Sequence, residues 1–498
     1  MGVIKKQAFQ SSVLIYVGTV LGFLTAGIIA PNLLSESQIG TLRLLLSYSG
    51  IFANLGILGF TTVTIRFFHH FYDKNTDKSS GFLGIAMIVG TLGASIAILL
   101  ISIIRPDIIE NNIGKSPEFA RYFYLIIPLA VFQTFYSLFD SYNNARYRSS
   151  LGIFLRDFVQ RILMLVGLSL VFFHIFTFES YTYYFAFAIC LPTILILLDI
   201  VRNGAFDVKV DFRRFGAMLR PMLGVGFYGM LNSLSVVAAL QIDSIMINSY
   251  LNTAAVGIYT TAFYFGTLVF VPSKALNKIA PTLISKGFKE DDLATVKDIY
   301  YRSCKNLFII GTLVWLGLLV NLENIFQIIP KSYFEGKWVI VIIGLASLIK
   351  MAGGSNDSVI TYSKYFRVTT LFLLIYLGLI VLSNWLFIPQ WGITGAALAT
   401  LVAILLYNLL KFIFIKIKFG FNPYSYQYLL ILSIAALLFV VIRAIPDPDN
   451  FIADIILDST LTTVLFYIAI RRLPLSADLE DSGREILKSL WHYFKTKR

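Results

Sequence analysis

Charge is scarce in this chain, and so are the residues that acid–base, redox or metal chemistry would draw on. Only 14% of the 498 residues are Asp, Glu, Lys or Arg. Two cysteines, Cys190 and Cys304, exclude a disulfide framework and offer no metal-ligand spacing. The four histidines, His69, His70, His174 and His492, have neither a His-x-x-x-His partner nor a carboxylate at ligand spacing. No GxxxxGK[ST] loop stands ready to cradle a nucleotide. No long polar connection carries paired carboxylates, as glycosyl transfer would need. These absences argue against an enzyme, and neither cofactor nor metal is expected.

What is present is hydrocarbon. Hydrophobic residues make up 57% of the chain, and the mean hydropathy is +0.76. A span needs roughly 20 apolar residues to cross a hydrocarbon core of about 30 Å. About fourteen stretches approach that length: 11–33, 40–65, 80–104, 119–141, 154–177, 181–200, 217–248, 254–284, 306–328, 337–360, 367–388, 391–415, 427–445 and 452–471. The first runs too long for a signal-peptide core and is read as a span. The expected fold is an all-α polytopic membrane protein of about 14 transmembrane helices.

The net charge of +13 is a topology signal rather than a nucleic-acid footprint. Of the 41 Lys and Arg, six fall in one set of alternate connections: Arg105, Lys115, Arg121, Lys331, Lys337 and Arg443. Four more, Arg43, Arg161, Lys274 and Lys350, sit within spans. The rest gather on the other side. By the positive-inside rule that side is cytoplasmic, and an even number of spans places both termini there. The expected setting is a membrane with both termini on its cytoplasmic side, with no nucleic-acid partner.

The chain repeats weakly. Laying residues 31–50 over 248–267 puts Gly40 on Gly257, Leu34 on Leu251 and Ser35 on Asn252. An even number of spans separates the copies, so the repeat is parallel. The expected organisation is an N-terminal six-helix lobe at 1–205, a C-terminal six-helix lobe at 206–420, a terminal helix pair at 421–475 and a cytoplasmic amphipathic tail at 476–498. In the tail, a Ser482-x-x-Glu485 capping box precedes Ile486, Leu487, Leu490, Trp491 and Phe494, as in an interfacial helix. Residues 286–305 read as a second helix lying along the inner surface. Two lobes without catalytic apparatus are most economically a transporter.

Ionisable groups inside a span cost about 3 kcal/mol each on insertion scales and are functional candidates by default. Lys350 lies mid-span, followed by Gly353-Gly354, Asn356 and Asp357, where paired glycines can open the helix toward a cavity. It could meet an anionic substrate group, or form an internal pair with Asp357. Lys274 and Lys278, four apart, share a helix face. They could form a phosphate site or snorkel to the interface. Gln241 and Asp243 lie in the outer part of span 7, and Asp243 is a candidate proton or sodium site, as is Asp357. Arg43 opens span 2 as a vestibule cation or an anchor. Asp157 and Arg161, four apart, read as a structural ion pair. Gly18-x-x-x-Gly22 marks close helix packing.

The stretch 241–285 resembles the start of the second lobe in polysaccharide flippases, the Wzx-like oligosaccharide–lipid translocases of the multidrug/oligosaccharidyl-lipid/polysaccharide (MOP) exporter superfamily. The matching residues are Asp243, Val256-Gly257-Ile258-Tyr259 and Pro281. Residues 388–403, IPQWGITGAALATLVA, are similar to the family's opening of span 12. Residues 29–60 are similar too, although the family usually has Arg where Ala30 or Pro31 stands. The resemblance covers nearly the whole chain, but its motifs are structural. It implies flipping of an undecaprenyl-pyrophosphate-linked oligosaccharide through a cavity between two lobes. Cationic side chains there would hold the pyrophosphate; the substrate-binding candidates are Lys350, Lys274 and Arg43, together with the amides Asn356 and Gln241. Rocking of the lobes, with protons or sodium as the candidate coupling ions, would carry it across. A cation-coupled multidrug exporter of the same superfamily or a lipid II flippase are the alternative readings.

Overall fold

The computed structural model describes residues 14–72, 81–210, 212–446, 448 and 450–471. The amphipathic tail with its Ser482 capping box lies outside the described residues. Among those described there are helices and turns but no strands. The helices, labelled here in chain order, are α1 (Leu14–Leu33), α2 (Glu36–Phe71), α3 (Phe82–Ile113) and α4 (Pro117–Ala145). They continue with α5 (149–172), α6 (Phe178–Arg202), α7 (Phe215–Tyr250), α8 (Thr253–Phe270) and α9 (Ser273–Lys289). Next come α10 (Leu293–Val320), α11 (Leu322–Ile328), α12 (Lys337–Ala352) and α13 (Asn356–Thr361). The last are α14 (Arg367–Phe419), α15 (Tyr426–Arg443) and α16 (Phe451–Arg471).

Among the described residues, 11 helices are long and apolar enough to cross a membrane, fewer than the about fourteen expected. The shortfall has three local causes. The 53-residue α14 joins two expected spans across Gly392, whose φ of 57° and ψ of −133° bend it. In α5 a π-helical stretch, Phe154–Val159, carries Arg156 and Asp157 close to Arg161. And α12 stops short at Gly353.

Helix starts follow local chemistry. Ser35 caps α2 in a full capping box: its hydroxyl accepts from the Gln38 amide, and the Gln38 side chain accepts from the Ser35 amide. Thr177 caps α6 and Asp292 caps α10. The Thr295 hydroxyl and amide donate to the Asp292 carboxylate and hold it below the usual carboxylate range. Asp292 also overturns one expectation. Residues 286–305 do not form a separate surface helix. A turn through Asp291 (φ 58°) ends α9 near Lys289, and Leu293 opens the long α10. Val296, Tyr300 and Cys304 have the apolar spacing read as interfacial, but all three are buried.

The chain divides into two compact units. One is drawn from Met1–Tyr264 and Leu373–Ala399, the other from Phe265–Phe372 and Thr400–Arg498. The first is pinned by an aromatic knot. Phe68 meets Phe82 and Tyr142 edge-on, each with ring centroids 5.6 Å apart, and the Tyr142 hydroxyl donates to the Ala205 carbonyl at 3.0 Å. Such edge-to-face pairs add about 0.5–1.5 kcal/mol each beyond area burial. The core of the second joins Phe308, Leu316, Leu348, Met351, Ile431 and Phe466 from α10, α12, α15 and α16.

Within the first unit, α2 and α8 cross at Gly40 and Gly257. A Cβ on Gly40 would fall on the Thr253 carbonyl, and a Cβ on Gly257 would fall on the Glu36 carbonyl. Glu36 and Thr253 are separated by 217 residues, and so are Gly40 and Gly257. Each glycine thus receives the carbonyl four residues ahead of the other. A two-fold axis through the crossing produces this reciprocity. The Ser37 and Thr253 hydroxyls share a hydrogen bond of 3.0 Å beside it.

Candidate functional site

In the second unit, Gly353 and Gly354 end α12. Gly354 has φ 54°, and a Cβ there would lie 2.6 Å from the Cys304 amide nitrogen and 2.7 Å from Ser303 Oγ. The break is held from outside, because the Ser303 hydroxyl accepts from the Ser355 amide at 3.0 Å. The chain restarts as α13, which places Asn356 and Asp357 beside α14. Asn356 Nδ2 donates to Asn408 Oδ1 at 3.1 Å, and Lys411 Nζ donates to Asp357 Oδ1 at 3.0 Å. Lys411 also lies over the Tyr407 ring, 3.9 Å from its centroid.

Lys350, Asn356, Asp357, Asn408 and Lys411 line one cavity of about 400 Å³ at this broken helix. The residues differ in how they meet it. Lys411 is 3% exposed and spent on Asp357. Asp357 and Lys350 are crowded by protein yet keep accessible faces toward the cavity. Lys350 makes no hydrogen bond or ion pair among the described residues; its ammonium sits 4.4 Å from the Phe270 ring centroid. The structure therefore pairs Asp357 with Lys411 and leaves Lys350 the uncommitted cation. Lys274 is half-buried on α9 and does not line this cavity.

The first unit holds the remaining candidates in two adjoining cavities of about 240 and 370 Å³ that share Arg43, Leu46, Arg156 and Gln160. Arg43 is anchored: Nε donates to Ser244 Oγ and Nη2 to the Leu240 carbonyl, both at 3.1 Å. Gln241 accepts from Ser47 Oγ at 3.0 Å and lines the larger cavity. Asp243 is buried apart from both. It accepts from the Tyr259 hydroxyl at 2.8 Å and from Asn384 Nδ2 at 2.7 Å.

The ion pair read from the spacing of Asp157 and Arg161 does not form among the described residues. The π-helical turn at Phe154–Val159 adds a residue per turn, which takes i and i+4 out of line. Arg161 lies instead against Gly22, and Asp157 lies against Gly18 through its carbonyl, so the Gly18-x-x-x-Gly22 stripe serves close packing. Sequence reading missed Lys411 and Asn408, which sit near the inner end of an expected span. It also missed Arg156 and Gln160 as cavity residues. The signal for Lys411 was its position three residues after Asn408, which places both on one helix face.

A family model described as "Polysaccharide biosynthesis protein" matches residues 4–282, more than half of the chain. The chain belongs to that family. Its fold is that of the MOP exporters, as the resemblance implied. This chain is similar in structure to "Lipid II flippase MurJ, inward closed conformation", with a TM-score of 0.72 and 14% identity over 93% of this chain and 99% of that one. It is also similar to an inward-facing "multidrug resistance MATE family transporter of the MOP superfamily", with a TM-score of 0.63 and 14% identity over 83% of this chain and 98% of that one. No curated protein matches it. It is a multi-pass membrane protein of a transporter fold.

Proposed function

We propose that this protein flips an undecaprenyl-pyrophosphate-linked oligosaccharide across the bacterial cytoplasmic membrane by alternating access, serving surface polysaccharide synthesis without catalysing a covalent step. One observation carries the reading. Lys350, in a member of the polysaccharide biosynthesis family, presents an uncommitted ammonium to a polar cavity at a broken membrane helix. Breaks of this kind place substrate and ion sites in transporters. A pyrophosphate oxygen can accept from Lys350 while Asn356 donates beside it, and Asp357 stays held by Lys411. Arg43 and Gln241, which line cavities of the first unit, and Lys274 on α9 are further candidate substrate contacts. Asp243, and Asp357 when its partner moves, are the candidate groups for a coupling proton or sodium.

The test is a reconstituted flipping assay, run with and without proton or sodium gradients. Lipid-linked oligosaccharide, lipid II and a cationic drug are offered in separate arms. Transport of lipid II alone supports the lipid II alternative, and transport of the drug alone supports the multidrug one. A hydrogen bond to a charged group contributes about 1.5–3 kcal/mol, so Lys350→Ala should slow flipping roughly ten- to hundred-fold. Lys350→Arg should retain more. Normal flipping by Lys350→Ala at normal membrane abundance would remove Lys350 from the site.

The same reading puts both termini in the cytoplasm. Reporter fusions after Arg498 and within Gly114–Ser116 should report opposite sides of the membrane. Agreement between them would mean that an odd number of crossings has been missed.

A further inference from the structure

Between Asp357 and Asp447 the chain carries no Asp or Glu, yet Lys364, Arg367, Lys416 and Lys418 all lie exposed in that stretch. The fold of the second unit gathers these four. Residues 362–366 join α13 to α14, and there the Ser363 hydroxyl accepts from the Tyr365 amide at 3.1 Å. The Tyr365 ring packs edge-on against Phe414 and Phe419, with centroids 5.5 and 5.9 Å apart, which fastens this link to the last turns of α14. Lys364 Nζ then lies 5.3 Å from the centre of the Tyr365 ring, and Lys418 Nζ lies 5.5 Å from it. Two like charges from opposite ends of α14 thus converge on one ring. Lys416 lies over Phe412 and Arg367 over Phe366, each at 5.8 Å. None of the four makes an ion pair among the described residues. The α9–α10 hairpin approaches through Phe288, 5.7 Å from Phe419. Its carboxylates do little to neutralise the cluster. Glu290 pairs with Lys286 at 3.8 Å, Asp298 pairs with Arg302 at 2.8 Å, and Asp292 caps α10, which leaves Asp291 in the turn.

An apolar ridge leads to the cluster. Leu406, Leu409, Ile413 and Ile417 follow at spacings of three and four, so they share one face of α14, and all four are exposed. α14 is long and apolar enough to cross a membrane, so its exposed ridge meets acyl chains. The ridge ends at Ile417, between Lys416 and Lys418. Hydrocarbon running up to a group of cations matches a phospholipid, in which acyl chains and a phosphate are joined at the membrane surface. Ammonium groups make strong charge-assisted hydrogen bonds to phosphate oxygens, and basic clusters at the ends of membrane helices attract anionic lipid. We propose that Lys364 and Lys418, with Lys416 and Arg367 beside them, bind the headgroup of an anionic phospholipid of the bilayer whose acyl chain lies along the Leu406–Ile417 ridge. This site is separate from the Lys350 cavity, and it does not depend on what the protein transports.

The experiment is a lipid titration of the full chain in detergent, read by native mass spectrometry, with dioleoylphosphatidylglycerol or dioleoylphosphatidylcholine. Inorganic phosphate at the lipid's concentration is a further arm. The expected result is tighter binding of phosphatidylglycerol, undisturbed by the inorganic phosphate. Each lysine at an anionic headgroup contributes roughly a factor of five. Lys364→Gln with Lys418→Gln should therefore weaken phosphatidylglycerol binding roughly ten-fold or more and leave phosphatidylcholine binding unchanged. Lys364→Arg with Lys418→Arg should retain it. Lys286→Gln with Lys289→Gln, an equal loss of charge away from the Tyr365 ring, should leave it close to the parent's. Should the first double variant not fold, each single Lys→Gln variant carries the test with a smaller loss. Four results would overturn the site: equal affinity for the two lipids, parent-like phosphatidylglycerol binding by the Lys364/Lys418 variants, the same loss in the Lys286/Lys289 control, or displacement by inorganic phosphate.

Discussion

Oxidising a protein that carries Ser37→Cys and Thr253→Cys should link α2 to α8 and stop flipping, and a reductant should restore it. The two hydroxyls stand 3.0 Å apart beside the Gly40–Gly257 crossing, where the helix backbones touch. Glycine allows this approach because any Cβ would meet a carbonyl oxygen. Cysteines in place of the hydroxyls meet the short Cβ separation that a disulfide demands. Further contacts hold the crossing shut from the side. Lys115 Nζ donates to the Ser249 carbonyl at 2.6 Å, Asn248 Nδ2 donates to Asn112 Oδ1 at 2.7 Å, and the Ser116 hydroxyl donates to Asn248 Oδ1 at 3.0 Å. Alternating access requires one end of the pathway to be closed while the other opens. If the crossing is that closed end, the linked protein falls below about a tenth of the reduced rate. Efficient cross-linking with unchanged flipping would show that the crossing never opens. Native Cys190 and Cys304 lie elsewhere, Cys304 fully buried, so the parent protein serves as the control.

The second large effect is on stability. Asp357→Ala should lower the unfolding temperature and the membrane abundance sharply, because it strands the Lys411 ammonium, which is 3% exposed. Removing one partner of a buried pair costs about 3–5 kcal/mol. The lower end applies here, since the Asp357 side chain is 60% accessible toward the cavity and the pair is partly hydrated. Asp357→Ala with Lys411→Met removes both charges and should recover most of the loss. A double variant as unstable as the single one would show that Asp357 acts through Asn356 and the helix break, and not through Lys411. Lys350→Ala in the same assay should change stability little, because its ammonium has no partner to strand.

The membrane class and the helices were legible because hydrocarbon thickness imposes a length on every apolar run. Lys350, Asn356 and Asp357 were legible as a cluster because a single helix, broken at paired glycines, carries all three. Lys411 was not. It joins the cluster from another helix, and its place near an inner span end left it counted among the basic residues of the inner side. The expected Asp157–Arg161 pair fell to a π turn, which a count of residues by fours cannot foresee. The repeat showed as one aligned glycine pair, while its physical content, an exchange of backbone contacts, needed both copies in space. Acceptors buried without a donor, such as Asp454 Oδ1, are invisible to sequence, since being unsatisfied is a property of the neighbours.

Two walls of the smaller cavity in the first unit are wound too loosely. Leu24–Ile29 and Phe154–Val159 are both π-helical, and Thr25, Ala26, Arg156 and Asp157 from them line the cavity. A π turn holds one residue more than the α-helical ladder needs. That surplus can travel along a helix without breaking it, and each residue it passes turns by about 100°. The cavity therefore has a means of swapping which side chains it shows while its walls stay helical. Arg156 sits on such a turn, so how far its positive charge reaches into the cavity is set by winding, and a helix can retract it without any part of the chain unfolding.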